Sequence, residues 1–165
     1  SLRQDIHAEM QRRGQSCSCI RCREVRGRSV ETGQLQLQDH IYYPAHAEEH
    51  FITYTTPDNY LVGYLRLSLP SRAAPSIGLE DLAGAAIIRE VHVYGQALLV
   101  GEEQPGAAQH TGMGSALLEE AGRIAHQAGF NRLAVIAAVG TRQYYAGRGF
   151  ELGAYYMVRS LPAAV

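Results

Sequence analysis

Hydrophobic and polar residues alternate along the first half of the chain, with the period typical of strands that have one buried face. Residues 60–69 are the clearest case, because every second position from Leu61 to Leu69 is leucine except for Gly63. The strands predicted in this half are 35–43, 51–55, 60–69 and 86–94. A turn signal at 57–59 predicts that residues 50–69 form an antiparallel hairpin.

The period changes to that of a helix in the second half. Apolar residues recur three and four positions apart from Met113 to Ala128, and Gly129 follows as a residue suited to a left-handed helix end. An unbroken apolar run at 133–139 predicts a buried strand. The other predicted elements are a polar helix at 2–13, a loop at 14–24, a small strand at 98–100, a short helix that begins at Thr141, and a last strand at 150–161.

Together these elements predict an α/β (α+β) fold with one mixed, mostly antiparallel sheet. The order is four strands, a helix, a strand, a short helix and a strand, so an antiparallel half precedes an α/β half. Such a sheet splays where its halves meet, and ligands bind in the gap. We predict a main domain at 25–165 and a small N-terminal segment at 1–24.

The most informative motif, Gln109-His110-Thr111-Gly112-Met113-Gly114, opens the predicted long helix. At a helix start the first N–H groups have no partner within the helix, and the helix dipole is positive. Gly112 and Gly114 would let a ligand approach the backbone closely. Between two strands, this pattern is typical of a phosphate or pyrophosphate site, although a tight turn is the alternative for the motif alone.

Composition favours a cytoplasmic globular protein. The chain has 165 residues, 46% of them hydrophobic and 19% charged, with a formal net charge of −1. No apolar run approaches the ~18 residues that span a bilayer, and no secretory leader is visible, so no membrane partner is expected. Arginines crowd the N-terminal stretch, at Arg12, Arg13, Arg21, Arg23, Arg26 and Arg28. They form either a solvated basic surface or a nucleic-acid contact surface.

All three cysteines lie close together in the chain, at Cys17, Cys19 and Cys22. An odd count in a reducing compartment argues against disulfides. Three thiolates at this spacing suit tetrahedral zinc with one further ligand, and free thiols are the alternative. His92 is the first candidate for the fourth ligand and His40 the second. Such a metal would have a structural role, because it would pin the loop to the domain.

Several segments together resemble the GNAT superfamily of acyl-CoA N-acetyltransferases. The glycine motif carries this resemblance together with the segment Tyr145-Ala146-Gly147-Arg148-Gly149-Phe150. The match narrows to the C-terminal acetyltransferase domain of the catalytic subunit of Elongator, from about residue 10 to residue 161. The segments that narrow it are 17–25, 89–95, 140–145 and 156–158.

This resemblance implies an acetyl-CoA-dependent acyltransferase in a family that modifies the wobble uridine of tRNA anticodons. In that family a radical-SAM domain, which holds an iron–sulfur cluster and S-adenosylmethionine, precedes the acetyltransferase part. We expect the present chain to be the acetyltransferase part alone. Its expected partners are the radical-SAM domain and, through the basic N-terminal stretch, the tRNA anticodon region.

The resemblance also implies a cofactor site in the gap of the sheet. The residues implied for the pyrophosphate of acetyl-CoA are Gln109, Gly112, Met113, Gly114 and Ser115. Those implied for backbone contacts to the pantetheine and thioester are Glu90, Val91, His92 and Val93. An ordinary core strand is the alternative reading of residues 90–93.

Tyr145 is implied as the acid that protonates the departing thiolate beside the cofactor, because it precedes the Gly149-Phe150 turn at the family's spacing. A tyrosine hydroxyl stays protonated at neutral pH and can donate. Tyr144 lies about 100° further round the helix, so we expect it to pack or to contact substrate. Two core tyrosines are the alternative. Glu90 is a candidate general base, and a surface salt bridge is its alternative.

Three functions follow from these observations. The first is an acetyl-CoA-binding domain that supplies the acetyl group for 5-carboxymethyl-type uridine formation. The second is a histone-like protein lysine N-acetyltransferase, and the third is a non-catalytic module that binds zinc and RNA. The chain departs from the superfamily at 44–50, which is too short for the usual long helix, and at Met113, where aromatic residues are common.

Overall fold

The computed structural model of the protein describes residues 1–28, 30–94 and 108–162. Its helices are α1 (Leu2–Arg12), α2 (Ile20–Arg23), α3 (Ala108–Gln127) and α4 (Arg142–Ala146). Its strands are β1 (Gln36–Tyr42), β2 (Ala47–Thr55), β3 (Leu61–Pro70), β4 (Ala85–Val93), β5 (Arg132–Val135), β6 (Glu151–Leu152) and β7 (Met157–Ser160). The small strand predicted at 98–100 lies outside the described residues. None of the described helices is long and apolar enough to cross a membrane.

The strands form one seven-stranded sheet in the order β1-β2-β3-β4-β5-β7-β6. The first four strands pair antiparallel in chain order, β4 and β5 are parallel, and β5, β7 and β6 are again antiparallel. The mixed, mostly antiparallel sheet predicted from the sequence is therefore confirmed. So is the hairpin across 50–69, and no helix separates β1 from β2, as the short 44–50 segment indicated.

The sheet opens between β4 and β5. These strands pair only from Ala85 to Ile88, opposite Arg132 to Val135. On its other edge, β4 stays paired with β3 as far as Val93. Within the described part of the chain, residues 89–93 therefore have no strand partner on the β5 side, and their outer backbone groups border the predicted gap.

Helix α3 covers one face of the sheet and forms the main core with it. Leu117, Leu118 and Ala121 are fully buried, and they pack in one cluster with Ile52 and Leu65 of the sheet. This burial removes apolar side chains from water, which is the dominant favourable term in folding. The apolar stripe predicted for the helix is confirmed from Met113 to Ala125, but Ala128 is exposed because α3 ends at Gln127.

Gly129 ends α3 in the manner the sequence predicted. Its φ is +88°, a left-handed conformation that costs glycine little. The N–H of Gly129 donates to the carbonyl of His126 at 2.9 Å, and the N–H of Phe130 donates to that of Ala125 at 3.0 Å. These two bonds form a Schellman motif, which satisfies carbonyls that the helix would otherwise leave unpaired.

Three predicted strands differ clearly from the structure in their bounds. The strand predicted at 51–55 begins four residues earlier, at Ala47. The strand predicted at 133–139 ends at Val135, and Ile136 and Val139 are 62% and 77% exposed. It ends there because β4 and β5 diverge and leave the following residues without a partner strand. The strand predicted at 150–161 is instead the β6–β7 hairpin, and the predicted 14–24 loop contains α2.

The Asp81 carboxylate shapes the turn between β6 and β7. It accepts hydrogen bonds from the backbone N–H groups of Ala154, Tyr155 and Tyr156 at 3.2, 2.7 and 3.0 Å. These bonds, led by the one from Tyr155, hold the pKa of Asp81 below its usual value. A Cβ at Gly153 would overlap this carboxylate, so the turn needs glycine there. The contact spans distant parts of the chain, which is why no local pattern predicted the hairpin.

We predict that Asp81→Asn lowers the melting temperature at pH 7 by roughly 3–8 °C. The reason is that the substitution removes the charge of the carboxylate that accepts hydrogen bonds from three backbone N–H groups. The folded pKa of Asp81 lies below its unfolded value of about 3.9, so its stabilisation is complete above that value and disappears as the pH falls through the folded pKa. Thermal unfolding from pH 7 to pH 2.5 should show the two proteins converging on acidification. A constant difference would contradict this account.

Candidate functional site

The glycine motif lies in the first turns of α3, since the helix begins at Ala108, ahead of both glycines. The sequence pattern missed this polar first turn because it carries no apolar period. The N–H groups without a helical partner therefore precede Gly112, and those of residues 112–115 lie within the helix. Gln109 belongs to the first turn, and its side chain lies outside the described residues.

The two glycines have different surroundings. Gly112 faces open space as far as the described residues go, because none of their heavy atoms would lie within 4 Å of a Cβ placed there. At Gly114 a Cβ would overlap the hydroxyl of Tyr144 and lie 3.8 Å from Cγ2 of Val93. The start of α3 is thus close to Tyr144 of α4 and to Val93 of β4 at Gly114, and it is open at Gly112. Met113 is buried, and it packs in one cluster with Val62.

Arg148, which the sequence analysis did not single out, connects α4 to the start of α3. Its Nε donates to Oγ of Ser115 at 2.8 Å, and its Nη1 donates to the carbonyl of Tyr144 at 2.7 Å. Its guanidinium carbon lies 3.6 Å from the centroid of the Tyr144 ring. This arrangement places a cation beside the glycine motif. The sequence feature that could have indicated a role for Arg148 is its position between Gly147 and Gly149, in the segment 145–150 that resembles the GNAT superfamily.

Tyr144 and Tyr145 point in different directions, as the helical period predicted. Their rings meet edge to face, with centroids 5.2 Å apart and planes at 88°. Tyr145 is buried and packs against Phe150, whereas Tyr144 is partly exposed with its hydroxyl over Gly114. Burial raises the pKa of both phenols above the ordinary value. Both hydroxyls are therefore protonated at neutral pH and can donate.

The residues predicted to contact the thioester lie on the part of β4 that borders the gap. Val91 and Val93 pack against the main core. Glu90 and His92 alternate with them and project from the opposite face of the strand, where both are exposed. The outer backbone edge of this stretch has no strand partner among the described residues. α3 packs against β4, and a Cβ placed at Gly114 would lie 3.8 Å from Cγ2 of Val93, so this end of β4 lies beside the glycine motif.

Glu90 belongs to a polar network on the face of the sheet opposite α3. The hydroxyl of Tyr64 donates to Oε1 of Glu90 at 2.5 Å, and Nη1 of Arg66 lies 3.9 Å from Oε2. Burial and the bond to Glu90 raise the pKa of Tyr64, so this hydroxyl stays a donor. The Glu90 side chain is 43% exposed, which leaves its carboxylate accessible from solvent.

The three cysteines converge at the N-terminus of the domain. The sulfurs of Cys17, Cys19 and Cys22 all lie within 4.8 Å of one another. Nε2 of His7, in α1, lies 3.3 Å from the sulfur of Cys22. A backbone hydrogen bond from Cys22, followed by bonds from the other two thiols, lowers the pKa of Cys19 to about 7. Three sulfurs and an adjacent imidazole are a donor set that suits tetrahedral zinc.

The histidines that the sequence suggested as fourth ligands lie elsewhere. His92 stacks against Tyr64 and Tyr94, with ring centroids 5.8 and 4.4 Å apart. Among the described residues the group of potential metal ligands contains the three cysteines alone, and His7 differs from His92 in lying 3.3 Å from one of their sulfurs. His40 is exposed on β1. The sequence analysis did not consider His7, which lies ten residues before Cys17, because only tertiary packing shows which face of α1 meets the cysteines.

Comparisons with known proteins were made by sequence and by structure. No protein-family profile matches the chain. It is 38% identical over 165 residues to the tRNA uridine(34) acetyltransferase of Dehalococcoides mccartyi. This alignment covers 98% of the present chain and 36% of the Dehalococcoides protein. It is 39% identical to Elongator complex protein 3 of Danio rerio and 38% identical to that of Homo sapiens, over 98% of the chain and 30% of each protein.

Solved structures agree with these relatives. The archaeal Methanocaldococcus infernus Elp3 matches 96% of the chain with a TM-score of 0.78 and 27% identity, over 38% of its own length. A Klebsiella pneumoniae protein named for the acyl-CoA N-acyltransferases matches 78% of the chain with a TM-score of 0.51 and 13% identity, which indicates the fold alone.

The chain spans about a third of the length of the curated relatives it matches. It matches them over nearly all of its own residues, and the sheet that opens beside α3 is the acyl-CoA N-acyltransferase (GNAT) fold that the sequence predicted. The chain belongs to the family of tRNA uridine(34) acetyltransferase and Elongator complex protein 3, and it corresponds to a GNAT-type segment of such a protein.

Proposed function

We propose that this chain is the acetyl-CoA-dependent acyltransferase domain of an enzyme that modifies the wobble uridine of tRNA. It would supply the acetyl group by thioester cleavage for 5-carboxymethyl-type uridine formation. The observation that carries the proposal is the meeting of a glycine-bearing helix start with the open edge of β4, in a chain related to a tRNA uridine(34) acetyltransferase. The iron–sulfur cluster and S-adenosylmethionine belong to the remainder of the full-length protein.

The start of α3 is the proposed site for the pyrophosphate. The unpaired N–H groups of its first turn and its positive dipole end attract an anion, and the guanidinium of Arg148 adds a full positive charge nearby. The open space at Gly112 lets the diphosphate lie against the helix backbone. Residues 89–93 then offer the pantetheine the N–H and C=O groups of an unpaired strand edge.

Tyr145 is the proposed acid. If an acceptor nucleophile adds to the thioester carbonyl, the acetyl group would pass to that nucleophile as the C–S bond breaks, and the Tyr145 hydroxyl would give its proton to the sulfur so that the coenzyme leaves as a thiol. The proton released by the nucleophile would restore the phenol. The raised pKa keeps that proton in place until the sulfur takes it. Tyr144 has a different role, because its hydroxyl lies over Gly114 and its ring contacts Arg148, so it positions the helix start against α4.

A protein lysine N-acetyltransferase is the second candidate function. Glu90 favours it, since an accessible carboxylate at the edge of the gap can take a proton from an ammonium group. Coenzyme A release that requires added tRNA supports the first function, and release that requires a lysine peptide supports the second. A third possibility, a non-catalytic zinc and RNA module, requires that acetyl-CoA does not bind at all.

We also propose a structural zinc ion held by Cys17, Cys19, Cys22 and His7. The three sulfurs are already grouped, and the imidazole is next to one of them. Helix α1 has no buried residue, so apolar packing contributes little to its attachment. Ligation of His7 would fasten α1 to the cysteine loop.

We predict that Gly112→Ala weakens acetyl-CoA binding at least 10-fold without lowering the melting temperature. The added methyl meets no protein atom, and alanine favours a helix, so only a ligand that approaches the backbone would be affected. Calorimetric titration with acetyl-CoA measures the effect. Gly33→Ala, at another glycine with open surroundings, is the matched control. Wild-type affinity in Gly112→Ala would count against the proposed pyrophosphate site.

We predict that Tyr145→Phe lowers thiol release from acetyl-CoA in the presence of tRNA by about 100-fold or more, with the dissociation constant changed less than about twofold. Phenylalanine keeps the packing against Phe150 and removes only the donor. Tyr144→Phe, measured in parallel, should have the smaller effect on release. Equal losses of binding and release in Tyr145→Phe would assign Tyr145 to packing.

We predict one zinc per chain by metal analysis, and a clear loss of zinc in both Cys19→Ser and His7→Ala. His92→Ala should keep its metal and is the matched control, because that ring stacks on tyrosines instead. Chelation should lower the melting temperature, since metal binding adds directly to folding stability. Zinc that persists in His7→Ala and disappears in His92→Ala would return the fourth position to His92.

A further inference from the structure

The N-terminal segment meets the core of the domain at one buried side chain. Among the residues ahead of β1 whose burial the structure describes, only Val25 is buried, with 6% of its surface exposed. Helices α1 and α2 bury no residue, so apolar burial attaches the segment to the domain chiefly through Val25. The place where Val25 packs therefore decides which part of the domain the segment supports.

Val25 belongs to a small core that is separate from the main one. It forms a buried cluster with Val62 of β3 and Met113 of α3. Val93 and Tyr94, at the end of β4, pack against the same cluster. The cluster therefore contacts both borders of the gap, namely the start of α3, where the pyrophosphate is proposed to bind, and the end of the open stretch of β4.

Met113 packs onto the sheet at a position that has no side chain. A Cβ placed at Gly63 would lie 3.1 Å from Sδ of Met113 and 3.3 Å from the carbonyl oxygen of His92, so glycine leaves the space that the thioether occupies. This contact accounts for the interruption of the leucine alternation of β3 at position 63. Because Met113 lies between Gly112 and Gly114, its packing sets the distance of the glycine motif from the sheet.

Polar contacts attach the N-terminal segment to the same end of β3. The N–H of Val25 donates to the carbonyl of Leu61 at 3.1 Å, and Glu24 forms a parallel bridge with Leu61. Nε of Arg23 donates to the carbonyl of Asn59 at 3.0 Å, in the turn that precedes β3. These bonds hold residues 23–25 beside the start of β3, and they keep the Val25 side chain in the cluster.

We propose that Val25 is a positioning residue for acetyl-CoA, through which the N-terminal segment sets the affinity of the cofactor site. It fills the cluster that contains Met113, so that the backbone around Gly112 is held in the arrangement that receives the diphosphate. Without Val25 the start of α3 would occupy that arrangement only part of the time, and the apparent affinity would fall by the same fraction. The inference rests on the proposed function, since the pyrophosphate site is itself proposed.

Calorimetric titration with acetyl-CoA, at a temperature where every variant is folded, tests the role of Val25. We expect Val25→Ala to raise the dissociation constant roughly 5- to 10-fold, as for a competent fraction that falls to about 10–20%. Val25→Ile, which keeps the cluster filled, should retain near-wild-type affinity.

Ile124→Ala is the matched control for Val25→Ala. Ile124 is a buried residue of the same helix and lies roughly 16 Å along its axis from Met113. Loss of its side chain should lower the melting temperature, because it leaves a cavity in the main core, but the dissociation constant of acetyl-CoA should stay that of the wild type.

A second variant is independent of the cavity that Val25→Ala creates. Arg23→Ala removes the bond to Asn59 and leaves the cluster residues in place, and it should weaken acetyl-CoA binding about 3- to 5-fold. Arg12→Ala is its control, because it removes the same charge from the end of α1, where the arginine pairs with Glu9. The ratio of the wild-type to the Arg23→Ala affinity should be equal at low and high salt, since the effect arises from packing.

Kinetics of thiol release in the presence of tRNA separate positioning from a general loss of stability. Val25→Ala should raise KM for acetyl-CoA and change kcat less than about twofold, because Tyr145 is unchanged. Unchanged affinity in Val25→Ala and Arg23→Ala, beside a wild type that binds acetyl-CoA, would overturn this inference and leave the proposed function intact. An equal loss of affinity in Ile124→Ala would also overturn it. A wild type that does not bind acetyl-CoA would overturn the proposed function, and this inference with it.

Discussion

The parting of β4 from β5 is the constraint on which the candidate site depends. β5 ends at Val135, while β4 continues to Val93 under the support of β3. A strand that is paired on one edge and open on the other presents unsatisfied N–H and C=O groups at a fixed spacing. Because α3 packs across the same sheet, its start lies beside this open edge. One break in strand pairing therefore creates both a gap and a backbone surface that lines it.

The contacts around α4 hold the proposed catalytic tyrosine next to the start of α3, at the border of this gap. Tyr144 fills the space over Gly114, and Arg148 bonds both Tyr144 and Ser115. A side chain at position 114 would have to displace the Tyr144 hydroxyl, so the protein's own packing already gives a reason for this glycine. Gly112 is not required in that way, and its open surroundings are the more informative of the two for ligand binding. Tyr145 lies behind this contact, where burial keeps its hydroxyl protonated.

The N-terminal segment has a different physical basis. Helix α1 buries no side chain, so its position depends on polar contacts such as His7 with Cys22 and Arg3 with Cys22. A metal at the cysteines would therefore stabilise one arrangement of this segment, because His7 would join α1 to the cysteine loop.

Sequence alone determined much of this protein, because local patterns report local physics. The alternation in β3 predicted a strand, the stripe from Met113 to Ala125 predicted a buried helix face, and Gly129 predicted the helix end. The segments that resemble a known family predicted the fold and family that the relatives confirm. The roles assigned to individual site residues stay predictions, among them Tyr145 and the cysteines.

The tertiary structure decided what depends on distant parts of the chain meeting. Asp81 accepts hydrogen bonds from Ala154 and Tyr155, which lie 73 and 74 residues later in the chain, and these bonds turn the last predicted strand into a hairpin. His7 reaches Cys22, and Arg148 reaches Ser115, through packing that no local period encodes. Strand and helix patterns arise from neighbouring residues, whereas these contacts arise from how whole elements pack, so the sequence could suggest the residue types but not their partners.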